Sequence, residues 1–71
     1  MLFYITFGQA SHMRDGWVAV EAPGEKEARK YASNLPLWAG CYSADDPEWK
    51  DYPNSKRKYF PKGQIGEVVV L

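Results

Sequence analysis

His12 and Cys41 are the sole histidine and the sole cysteine of this 71-residue chain. They are also the residues that most readily invite a catalytic reading. A cysteine nucleophile needs a base beside it, and a histidine acting as base needs a positioned partner of its own. The sequence supplies neither locally. Asp15 lies three residues from His12, but one imidazole and one carboxylate fall short of the three or four converging ligands of a zinc site. His12 is therefore expected to be a solvated loop residue. Cys41, between Gly40 and Tyr42 in an apolar stretch, is expected to be a buried structural thiol. Asp45, Asp46, Glu48 and Asp51 form an acidic run. A calcium loop would need more oxygen ligands and a glycine-containing turn to converge them, so capping and solvation are the expected roles. The six glycines form neither a dinucleotide fingerprint nor a phosphate-binding loop. No catalytic residue, no metal site and no cofactor is expected, and the chain is read as non-enzymatic.

Binding chemistry has stronger support. Lys56-Arg57-Lys58-Tyr59-Phe60-Pro61-Lys62 sets cations beside rings. Aromatics and arginine dominate the energetics of protein interfaces, which makes Trp49, Tyr52, Arg57 and Tyr59 candidate anchors for a protein partner. The alternative is single-stranded nucleic acid, where cations hold phosphates while rings stack on bases. That reading would use Lys56, Arg57, Lys58, Tyr59 and Lys62. The acidic run just upstream weakens it, and burial of Tyr59 and Phe60 in the core would weaken both.

These residues must be positioned by a small framework. Leu2–Phe7 is aromatic and β-branched and is closed by Gly8, which reads as a first strand. A polar connection ending in the turn dipeptide Asp15-Gly16 leads to Trp17–Glu21, a second alternating strand. The pair is expected to form an antiparallel hairpin with a long loop. After Pro23-Gly24, Ala28, Tyr31, Ala32 and Leu35 repeat at helical spacing, with Glu25 and Glu27 in the first turn where the macrodipole favours them. Glu25–Arg29 and Glu27–Lys30 are spaced to pair, and Pro36 sets the end of a helix of about ten residues. Leu37–Tyr42 reads as a third strand weakened by Gly40. Asp46 and Pro47 are placed to begin one helical turn, and Pro53-Asn54-Ser55 reads as a turn. Ile65 and Glu67–Leu71 read as a last strand, apolar on both faces and therefore expected in the centre of the sheet. The fold class is α+β: a small antiparallel or mixed sheet of about four strands in ββαββ order, with one helix on one face. One helix leaves a second apolar face to cover. Trp49, Tyr52, Tyr59 and Phe60 are the candidates within the chain, and a partner or a second copy is the alternative.

Residues 1–71 are expected to form a single domain. A domain this small buries only about 60% of the surface its unfolded chain exposes, but three Trp, five Tyr and three Phe each remove roughly 150–250 Å² when buried. Nine basic residues balance nine acidic ones, which argues against a surface built wholly for phosphate or as an acidic mimic. With no run near the ~20 apolar residues of a membrane span and no signal-peptide pattern, the protein is expected in a reducing cytoplasm, away from membranes.

Phe3-Tyr4-Ile5-Thr6-Phe7-Gly8, the strand end Val20-Glu21-Ala22-Pro23, the helical Glu27-Ala28-Arg29 and the later Trp38-Ala39-Gly40 with Tyr42 resemble a group of small bacteriophage proteins that open with an aromatic FTFG-type strand. The resemblance covers roughly residues 2–43. That group has no assigned activity, so no site residue carries over. What it implies is a phage gene product acting in the bacterial host cytoplasm. The combined expectation is a phage accessory protein that binds a host or phage protein, for instance to inhibit a host or defence factor. A homodimer is compatible with it.

Overall fold

The computed structural model describes residues 1–50 and 56–71, with the side chains of residues 48, 50, 56 and 57 left out. Three six-residue strands carry the fold: β1 (Leu2–Phe7), β2 (Gly16–Glu21) and β3 (Trp38–Ser43). β1 is the middle one, antiparallel to β2 on one side and to β3 on the other. Two short strands, β4 (Gly63–Gln64) and β5 (Val69–Val70), both run parallel to β2 along its outer side. The sheet is thus mixed, five-stranded and ordered β3-β1-β2 with β4 and β5 beside β2.

The α+β class and the single long helix match the sequence reading, but the ββαββ order is too simple. A four-residue helix α2 (Pro47–Lys50) and a 3-10 turn (Lys56–Tyr59) intervene after β3, and the last strand divides in two. The expected turn at Pro53–Ser55 lies outside the described residues. The expectation of a central last strand is also corrected. Apolar residues on both sides of Val68–Leu71 do not reflect two buried faces. Val69 packs against the core, while Val68, Val70 and Leu71 are 43%, 76% and 51% exposed.

Helix α1 (Glu25–Ala32) covers one face of the sheet. Ala28 and Ala32 are fully buried against Phe3, Ile5, Phe7, Val20 and Cys41, and Tyr31 and Leu35 flank them. Alanines at these two positions let the helix approach the large side chains of β1. The helix is shorter than expected from Leu35. Ser33 Oγ donates to the Lys30 carbonyl at 2.6 Å, and Leu35 N–H bonds to Ala32 in a tightened last turn. Such bonds satisfy carbonyls that a helix end leaves open. On the outer side, Arg29 Nε lies 3.4 Å from Glu25 Oε2, the expected pair one turn apart.

Candidate binding surface

The second face of the sheet presents Tyr4, Trp17 and Ala19, because side chains alternate along β1 and β2 and these are cross-strand neighbours. Its cover is the segment that follows β3. After Ser43 the chain turns, Pro47 occupies the first helical position, where its missing N–H costs nothing, and Trp49 N–H closes the turn on the Asp46 carbonyl at 2.9 Å. This swings the Trp49 indole over the sheet. Its ring stacks on Tyr4 at 4.8 Å and on Tyr42 at 5.4 Å, and meets Trp17 edge-on at 5.1 Å. Phe60 completes the layer, 5.7 Å from Trp49. The second face is therefore closed from within the chain by an aromatic cluster.

This geometry separates residues that the sequence grouped together. Trp49 is 1% exposed, so its expected role as a surface anchor is corrected: the indole is spent on packing. Phe60 is half-buried and turned inward. Tyr59 faces the other way. It is 64% exposed, with Lys58 Nζ 5.2 Å from its ring centroid. Lys58 and Lys62 are exposed. Arg57 and Lys56 stand on the same 3-10 turn as Tyr59, and Tyr52 lies outside the described residues. Phe60 thus ties to the core a turn whose next-door ring, Tyr59, points to solvent.

The turn is held from a second direction. Lys62 N–H bonds to the Asp15 carbonyl at 2.7 Å, and β4 continues onto Gly16. This places the β1–β2 loop, with exposed His12 and Arg14, next to Lys62. Arg14 precedes Asp15 in that loop, its guanidinium 3.4 Å from the Ser11 carbonyl; its place one residue from the Lys62 contact follows from the parallel β2–β4 pairing and is not legible in the sequence. The acidic start of α2 is close as well: α2 lies against the 3-10 turn, with Asp45 exposed and Asp46 half-buried. The 3-10 turn thus lies against a helix whose approach is acidic.

His12 and Cys41 occupy different settings. His12 is exposed in a loop held by backbone turns, with Ser11 buried beneath it and Ser11 Oγ accepting the Met13 N–H at 3.0 Å. Cys41 is 5% exposed on the helix-covered face. Burial pushes its thiol above the ordinary value, and nearby Arg29 pulls it partly back. A neutral, buried thiol is a poor nucleophile. Among the described residues, no three His, Cys, Asp or Glu side chains come together as a metal set, and no helix is long and apolar enough to cross a membrane. No protein-family model, curated protein or solved structure matches this chain.

Proposed function

We propose that this chain is a non-enzymatic binding protein whose partner is another protein, engaged through the surface around Tyr59. The observation that carries the proposal is the outward Tyr59 ring, 64% exposed beside Lys58 on a turn anchored through Phe60 and Trp49. A large ring held on a fixed turn loses little conformational freedom on binding, which is why aromatics recur as interface anchors. Arg57, on the same turn, is the second anchor of this reading. The resemblance of residues 2–43 to small bacteriophage proteins supports a setting in a bacterial host cytoplasm, where the partner would be a host or phage protein such as a defence factor.

Single-stranded nucleic acid is the second reading, favoured by the cation lying over an exposed ring. It ranks below the first because α2, with its acidic approach at Asp45 and Asp46, lies against the same turn. Carboxylates beside the cations oppose a polyphosphate chain but suit a protein surface of mixed charge.

Affinity capture from bacterial lysate, with and without nuclease, tests the choice. One protein enriched in both conditions, and lost with Tyr59→Ala, supports the proposal. Enrichment that disappears with nuclease, together with binding to an oligonucleotide that weakens steeply with salt, overturns it in favour of nucleic acid.

A further inference from the structure

Lys58 and Lys62 are exposed on the stretch of chain that carries Tyr59, and Lys58 Nζ lies 5.2 Å from the ring centroid. Arg14 comes from the β1–β2 loop. The hydrogen bond from Lys62 N–H to the Asp15 carbonyl at 2.7 Å joins that loop to the turn, and exposed Arg14 is the adjacent residue. Nη1 of Arg14 rests on the Ser11 carbonyl at 3.4 Å, which uses one of the five N–H donors of a guanidinium.

These cations differ from others in the chain. Among the described residues, the Met1 ammonium and Arg29 have carboxylate partners, Glu21 and Glu25, whereas Arg14, Lys58 and Lys62 have none. Lys56 and Arg57 add positive charge to the same 3-10 turn. Because Lys58 lies against the ring itself, whatever covers Tyr59 also takes water from Lys58. A charge desolvated without a counter-charge opposes association. A partner that buries Tyr59 must therefore bring acceptors for the cations around it, and ionised acceptors make the stronger bonds. A polyphosphate strand brings anions as a continuous line, which here has to pass Asp15 and the acidic approach to α2. Carboxylates on a folded surface can be placed singly, each opposite one cation.

We propose, resting on the reading of Tyr59 as a protein-binding ring, that the partner's docking surface is acidic: an apolar spot that takes the ring, bordered by carboxylates that pair with Lys58, Lys62 and Arg14.

Titration of isotope-labelled protein with a short peptide of glutamates around a central phenylalanine, followed by amide chemical shifts, reads this chemistry directly. The amides of Arg14, Lys58, Tyr59 and Lys62 are expected to shift together, and the lysine counterpart of the peptide to shift none of them. Lys58→Glu with Lys62→Glu is expected to weaken the glutamate peptide about tenfold, and Lys58→Arg with Lys62→Arg to keep its affinity. Both lysines are exposed, and the rest of the spectrum reports whether the fold holds. Should the charge-reversed variant fail to fold, Arg14→Glu is read in its place, with a loss of several-fold expected. Absence of shifts at these amides, shifts centred elsewhere, or an affinity indifferent to charge reversal overturns the proposal. Tighter binding of an oligothymidylate of equal charge overturns it together with the protein reading. Failure of the acidic surface alone has a separate signature: Tyr59-dependent capture of a protein from nuclease-treated lysate that Lys58→Glu with Lys62→Glu leaves unchanged.

Discussion

Replacing Trp49 with alanine removes the centre of the layer over the second sheet face. The indole is 1% exposed and meets Tyr4, Trp17, Tyr42 and Phe60 at ring separations of 4.8, 5.1, 5.4 and 5.7 Å. Truncating a buried tryptophan costs about 3–5 kcal/mol when the cavity does not collapse. Four aromatic neighbours cannot all close inward, since three stand on the strands of the sheet, so the upper half of that range, about 4–5 kcal/mol, is expected. At roughly 0.05–0.15 kcal/mol per residue, a chain of this length has only about 4–11 kcal/mol in total. Trp49→Ala should therefore lose about a third or more of that stability. Trp49→Phe, which keeps one ring of the stack, should lose about half as much. Urea unfolding followed by far-UV circular dichroism gives both values without depending on the fluorescence of the deleted residue. A loss below about 1 kcal/mol, the scale of a surface substitution, would refute the reasoning: the indole would then be a lid on an already stable sheet and could return to the list of partner anchors.

A Cβ at Gly16 would stand 2.9 Å from the Gly63 carbonyl oxygen and 2.7 Å from Ile65 Cδ1, so Gly16→Ala must push β4 away from β2. A loss of about 1–3 kcal/mol in urea is expected, and an unchanged midpoint would mean that the β2–β4 pairing adds nothing. Burial raises the Cys41 thiol in the folded state, so the unfolded chain releases this proton first. The stability it contributes is complete below the ordinary thiol value and is lost as pH rises toward the folded one. The stability gap between wild type and Cys41→Ala should accordingly narrow as pH rises past the ordinary thiol value, whereas a constant gap would contradict the buried setting.

Local rules carried the reading wherever a residue's neighbours in sequence decided its fate. The alternation in Leu2–Phe7 and Trp17–Glu21 and the helical spacing of Ala28 and Ala32 defined the sheet centre and its first cover. Asp46-Pro47 marked the start of α2. Other features needed knowledge of distant contacts. Gly40 looked like a weakness in β3, yet a Cβ there would stand 2.9 Å from the Tyr42 ring: the glycine makes room for a ring that stacks on Trp49. Val68–Leu71 looked like a central strand because apolar side chains on two sides read the same whether they face a core or solvent. Trp49 and Tyr59 have similar chemistry, and only the three-dimensional path of the segment between β3 and β4 sends one inward and the other out.

The claim that Tyr59 is a binding ring and not a packing ring is tested most directly by Tyr59→Ala. Its melting temperature and its capture of a protein from bacterial lysate, in the presence of nuclease, should be measured on the same preparation. The account predicts a stability change within about 0.5 kcal/mol, as for an exposed side chain, together with loss of the captured protein. Full capture by a well-folded Tyr59→Ala variant would contradict it.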